Sequence, residues 1–341
     1  AELSMIGRHA TPLLGLCLAI AAASLLSPAA AQQWVVPRTP EGHPDLQGNW
    51  TNATLTPFER REGQGPVMTP DEVDRLEGRA VAQARAGSEP SDPDRARLEP
   101  EERFGRSYNE IYYERNGYRV VRVNGEPRSS MLTRPANGRR PALTPGAQRR
   151  QREAREFRSQ FGEADNPENR GWNERCIMFS SRAGPPMIPN GAYNNNYTIV
   201  QTADYVMIHA EMVHDTRIIR LGEPDRLPAY VRPWMGDSWG RWEGDALVVE
   251  TRNINPSQLF RGIAPTAEMK VIERFTRVDE ETILYEFTID DPTSYTQPWG
   301  GELPYKRFDK QLYEYACHEG NYSLANVLSG ARYQERQARR K

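Results

Sequence analysis

Two histidines, two acids and an arginine fall within the nine residues His209-Ala-Glu211-Met-Val-His214-Asp215-Thr-Arg217. These residue types suit proton transfer and the binding of polar groups. An imidazole titrates near neutral pH, a carboxylate gives or takes a proton, and a guanidinium holds a polar partner. His214, Glu211 and, further along the chain, His318 are the candidate acid–base groups. Arg217 is the candidate anchor for a polar ligand group. Each has a plainer reading beside it. His214 could be a core histidine satisfied by one hydrogen bond, and Glu211 with Arg217 a surface ion pair of small energetic weight.

Read as one strand from Tyr205, this stretch divides by its period of two. Val206, Ile208, Ala210, Met212, His214 and Thr216 fall on one face, which is the core face by composition. Tyr205, Met207, His209, Glu211, Val213, Asp215 and Arg217 fall on the other. His214 is then expected to look inward, with Glu211 and Arg217 together on the opposite side. His209 and His214 would lie on opposite faces and share no metal. The chain has no His-x-His or His-Glu-x-x-His spacing, so neither a metal nor a cofactor is expected. It also lacks a glycine-rich dinucleotide fingerprint, a phosphate loop and a haem attachment motif.

Amides and aromatics gather around the same region. Asn194, Asn195 and Asn196 precede Tyr197, and three adjacent amides are costly to bury without specific partners. Tyr295 and Trp299 flank a loop after a strand pattern. These residues, with Arg217, are the candidate substrate-binding set, since such groups line pockets for aromatic or sugar-like ligands. They equally fill ordinary β cores.

The elements that must position these groups are mostly strands. Tyr197–Thr202 and Tyr205–His214 read as a pair joined at Ala203-Asp204. Hairpins are expected around Glu243-Gly244-Asp245 and Asp279-Glu-Glu281, with a last strand over Lys310–Cys317 and a helix from Asn321 to Arg340. Before them the chain differs. Asp45–Thr51 reads as an opening strand, and Thr69-Pro70-Asp71-Glu72 as a capping box that starts a helix reaching Gly87. Residues 88–107 read as a solvated loop, Asn124-Gly125 as a type I′ turn, and Thr144-Pro145 as the start of a second helix reaching Phe161. The expected fold is mainly β: an antiparallel meander or barrel over residues 192–318, with a helical and irregular excursion over 56–175.

Arg8 and His9 precede the apolar run Leu13–Leu26, followed by Pro28-Ala29-Ala30-Ala31. This is the pattern of a secretory signal cleaved after Ala31, and the residues before Met5 read as a cloning remnant. The mature part, residues 32–341, is expected as one domain in an oxidising compartment. Cys176 and Cys317 then remain, either as a disulfide or as two separate buried thiols. With 44 basic and 46 acidic residues the net charge is −2, which does not point to nucleic acid or an anionic membrane. No stretch beyond the signal is long and apolar enough to span a bilayer. The expected partner is a small molecule.

The segments GHPDLQGNW, YNNNYTIVQT, MGDSWGRWEGDALVVET, ERFTRVDEETILYEFTIDDP and YACHEGNY together resemble a large group of exported bacterial proteins. That resemblance implies export and assigns no residue roles. Gly48-Asn49-Trp50 is also similar to the Gly-x-Trp signature that opens calycin barrels such as lipocalins, which implies a calycin-like barrel. Two functions are expected from these readings. One is a cofactor-independent acid–base enzyme, of lyase or isomerase type, acting on a small aromatic or hydrophobic molecule such as a lignin-derived aromatic. The other is a non-catalytic binder of a small hydrophobic ligand.

Overall fold

Alternation of apolar and polar side chains builds the sheet. In β10 (Lys270–Asp279) Val271, Glu273, Phe275 and Arg277 are buried while the residues between them are half-exposed. In β11 (Thr282–Asp290) Ile283, Tyr285, Phe287 and Ile289 take the inward positions. In β12 (Trp299–Arg307) Trp299, Leu303 and Tyr305 do so. A face that alternates this regularly must be buried against other apolar groups, and here the sheet does so by wrapping around a shared interior.

A computed structural model describes residues 34–90, 94, 119–179, 184–189, 191, 194–223 and 225–340. The expected signal peptide, with Cys17, and most of the loop at 88–107 lie outside the described residues. The other strands are β1 (Gly48–Thr51), β2 (Arg122–Val123), β3 (Glu126–Pro127), β4 (Leu132–Arg134), β5 (Asn196–Gln201), β6 (Tyr205–Ala210), β7 (Thr216–Leu221), β8 (Asp237–Glu243) and β9 (Ala246–Arg252). Among the described residues the α-helices are α1 (Pro70–Gly87), α2 (Pro145–Arg158) and α3 (Ser323–Ala338). Nine strands, in the order β1-β5-β6-β7-β8-β9-β10-β11-β12, close into a barrel through the β1–β12 pairing, with β4 attached to β12. The fold is therefore mainly β with a barrel in the C-terminal region, as the alternation predicts.

Local signals hold where expected. Thr69 Oγ1 accepts from the Glu72 amide, and the Glu72 side chain reaches back to the Thr69 amide. Asn124 and Gly125 have φ of 52° and 81°, the two left-handed positions of a type I′ turn between β2 and β3. Trp50 is fully buried, donates from Nε1 to the Leu46 carbonyl at 2.9 Å, and has the Arg277 and Arg307 guanidiniums each 5.7 Å from its ring.

The last strand is not where the sequence puts it. Residues 310–317 are irregular, and the closing strand is β12. Gly300, Gly301 and Pro304 disguise it as a loop. A Cβ on Gly301 would stand 2.1 Å from the Met131 carbonyl oxygen, so only glycine lets β4 approach. The Glu302 amide donates to Met131 on the β4 side. Two residues later Pro304 presents its missing N–H on that same side, between the ends of β4 and β1.

The barrel interior is filled by aromatic side chains and one polar cluster. Tyr197, Tyr285, Tyr305, Phe275, Phe287 and Trp299 are all essentially inaccessible. Arg217 Nη1 and Nη2 donate to Glu273 at 2.6 and 3.1 Å, and the Tyr285 hydroxyl donates to Glu273 Oε1 at 2.8 Å. Met187, from the segment 184–189, enters this cluster. Its N–H donates to Tyr285 Oη at 2.8 Å, and its carbonyl accepts from Tyr305 at 3.1 Å and from Asn52 at 3.2 Å. Burial opposes the charge on Arg217, and the adjoining Glu273 carboxylate overcomes that and raises the guanidinium pKa. Desolvation, with the Glu273 charge, drives the Tyr285 phenol well above its ordinary value.

Candidate active-site cleft

Val206, Ile208 and Ala210 of β6 are buried, as the alternation predicts. The strand then stops. Residues 211–215 form a tight reversal, in which Val213 and His214 take φ of 60° and 45°. Left-handed backbone is unusual for a β-branched residue and persists only when its surroundings enforce it. Here the buried amides do so. Asn194 Oδ1 accepts from the Met212 N–H at 2.9 Å, Asn196 Nδ2 donates to Glu211 Oε2 at 3.1 Å, and the Ala210 N–H donates to the Asp215 carbonyl at 2.8 Å.

The reversal restarts the alternation and reassigns the faces. His214 is exposed on the turn rather than inward. Arg217 is buried inside the barrel and does not share a face with Glu211. His209 and His214, placed on opposite faces by a single continuous strand, are near enough for one charge to affect the other. The sequence gives no glycine or proline at 210–216, so nothing local marks the turn.

Beyond the turn, β7 pairs with β8 in parallel over three positions, Ile219–Ser238, Arg220–Trp239 and Leu221–Gly240. Below Ile219 no ladder joins them. The residues Asp215–Ile218 and Pro233–Ser238 line an open cleft of about 510 Å³. Its apolar lining includes Ile177, Ile218, Trp234 and Met235, with Tyr205 also contributing. Trp234 packs against Trp172 at 4.9 Å between ring centroids. The Arg220–Asp237 ion pair closes one wall, and Asp237 also accepts from the Leu227 N–H at 2.9 Å.

Asp215 is the cleft carboxyl whose titration is displaced upward. Burial pushes its carboxyl up to about 6, against the lowering effects of the Phe179 N–H, which donates to Oδ2 at 3.1 Å, and of His214. Next to it Thr216 Oγ1 lies 2.9 Å from His209 Nδ1. Desolvation, together with His214, lowers the His209 pKa, while Glu211 acts the other way. A carboxyl that changes protonation near neutral pH in an apolar cleft is equipped for general acid–base work.

The other expected site residues lie elsewhere. Asn194, Asn195 and Asn196 are buried in the wall. Tyr197 stacks on Tyr305 in the interior at 5.8 Å, and Tyr295 packs edge-on to Trp299 at 5.4 Å. None of these side chains lines the cleft. Glu211 bonds Asn196, and His318 is exposed beside Cys317. Of the expected residues, Arg217 alone is among the cleft-lining groups. Asp215, Ile177, Trp234 and Glu273 were not anticipated. Glu273 carried a readable signal, a carboxylate on the apolar face of an alternating strand.

Cys176 and Cys317 form a disulfide with an S–S distance of 2.08 Å. Among the described residues, no group of three or more His, Cys, Asp or Glu side chains is placed to hold a metal ion, and no helix is long and apolar enough to cross a membrane.

No protein-family model and no curated protein matches the chain. The functional reading therefore rests on the cleft.

Proposed function

We propose that this protein is an exported enzyme that performs acid–base chemistry on a small aromatic or hydrophobic molecule bound in the β7–β8 cleft. The observation that carries this reading is the Asp215 carboxyl, held at about 6 in a cleft walled by Trp234, Met235 and Ile177. The cleft volume of about 510 Å³ suits a small organic ligand. As a base, ionised Asp215 removes a proton from a C–H or O–H of the ligand. As an acid, the protonated form returns it to a leaving oxygen or a rearranged carbon. That pair of steps is the core of a lyase or an isomerase, and it asks for no electron transfer.

Export is supported by the N-terminal signal pattern and by the disulfide, which persists in oxidising compartments. The resemblance of its motifs to exported bacterial proteins points to the same placement. A non-catalytic binder is the second reading, favoured by the closed barrel. Because aromatic side chains fill the interior, that binder would also use the cleft.

A thermal-shift screen against phenolics, aromatic dimers including lignin-derived ones, sugars and fatty acids tests both readings. Each shifting compound is then incubated with wild type and with Asp215→Asn, and products are followed by chromatography and mass spectrometry. Conversion by wild type alone supports the enzyme. A shift without conversion in either protein supports the binder.

A further inference from the structure

Residues 171–179, which belong to no helix or strand, reach the cleft at Ile177 and touch Asp215 through Phe179. Three contacts bring this segment onto the cleft. Ile177 lines it, Trp172 packs on Trp234, and the Phe179 N–H donates to Asp215. A segment without ladder hydrogen bonds needs other restraints to stay there. The structure provides them from the C-terminal part of the chain. Cys176 is bonded to Cys317, and Asn321 Nδ2 donates to the Glu174 carbonyl at 3.2 Å. Cys176 sits one residue before Ile177 and three before Phe179.

We propose that the Cys176–Cys317 disulfide is a positioning element of the cleft, which holds residues 172–179 down over the Asp215 carboxyl. The proposal rests on the reading of Asp215 as the proton-transfer group. With the bond intact, the segment shields Asp215 from water. A dithiol or a phosphine donates two electrons to the S–S bond, is itself oxidised, and leaves two thiols after uptake of two protons. The segment then keeps only non-covalent ties, and water reaches the carboxyl. Two effects follow with opposite sign. Loss of burial lowers the Asp215 pKa and loss of the Phe179 hydrogen bond raises it. Burial is the larger, so the net change is a fall. The other charged groups at the cleft are His214 on the same turn, Arg217, which is paired with Glu273, and the Arg220–Asp237 pair. None of these is tied to the disulfide.

The test is a ¹³C-carboxyl NMR titration of Asp215, assigned with Asp215→Asn, in the oxidised protein, after phosphine reduction, and in the Cys176→Ala/Cys317→Ala double variant. In the oxidised protein the midpoint is expected near 6. In the other two forms it should fall by about one unit or more, with the core methyls of Ile283 and Val249 unmoved. Amide exchange at Phe179 reads the disulfide independently of any titration, and should accelerate about tenfold or more on reduction. An unchanged exchange rate overturns the proposal. So does global unfolding on reduction, since the bond would then staple the whole fold. An ordinary carboxylate midpoint in the oxidised protein, with faster Phe179 exchange on reduction, sinks the functional reading of Asp215 and leaves the positioning role standing.

Discussion

Arg217 on β7 and Glu273 on β10 meet in a two-point ion pair across the barrel interior, three strands apart in the sheet order. Both side chains are almost completely removed from water. A lone buried charge is far more costly than a buried pair. Arg217→Met should therefore destabilise the protein by about 3–5 kcal/mol. The double variant Arg217→Met/Glu273→Leu should recover most of that loss. Urea denaturation of the four members of this cycle checks it, and a double variant as unstable as the single one would contradict the argument.

Asp215 makes a prediction about pH. Its folded pKa, about 6, lies above the ordinary value of 3.8, so between those values the folded state binds more protons than the unfolded chain. Stability should therefore fall as pH rises through this window, and the full penalty remains above it. Asp215→Asn removes the penalty. It should stabilise the protein at pH 7 by about 1–2 kcal/mol, after allowance for solvent screening, and have little effect below the window. Thermal melts of both proteins from pH 4 to pH 8 measure the crossover.

The Met187 peptide unit ranks two tyrosines. Tyr285 both accepts the Met187 N–H and donates to Glu273, so Tyr285→Phe strands a buried donor and should cost about 1–3 kcal/mol. Tyr305 shares the Met187 carbonyl with Asn52, so Tyr305→Phe should cost less, about 0.5–1.5 kcal/mol. Equal losses in chemical denaturation would show that the two hydroxyls are not distinguished in this way.

Two glycines should respond in opposite directions. Gly301→Ala puts a methyl against the Met131 backbone and should loosen β4 from β12, a loss of about 2 kcal/mol or more. Gly78 lies within α1, where an added Cβ would meet nothing within 4 Å. Gly78→Ala should gain about 0.5–1 kcal/mol from helix propensity. Melting temperatures of the two variants give the signs directly.

These contrasts also explain what could be read from the chain. The capping box at Thr69 and Glu72, the Asn124-Gly125 turn and the alternation of β10 and β11 are local. Each is satisfied by residues within a few positions, so each was legible. The reversal at 211–215 was not, because Asn194 and Asn196 enforce it from another strand position. β12 was hidden because its glycines answer to Met131 and Phe287, far away in sequence. The cleft itself belongs to no single segment. It exists because β7 and β8 meet only briefly and Ile177 is brought over from elsewhere.

The strand count has one last consequence. Around a closed ring, directions can alternate without a break only if the number of strands is even. Nine is odd, so at least one neighbouring pair must run the same way. Eight of the ring's pairings are antiparallel, and β7–β8 is the exception. The seam that opens beside Asp215 thus answers to a parity rule. Adding or removing one strand would abolish the need for it, and with it the reason for an opening in that wall.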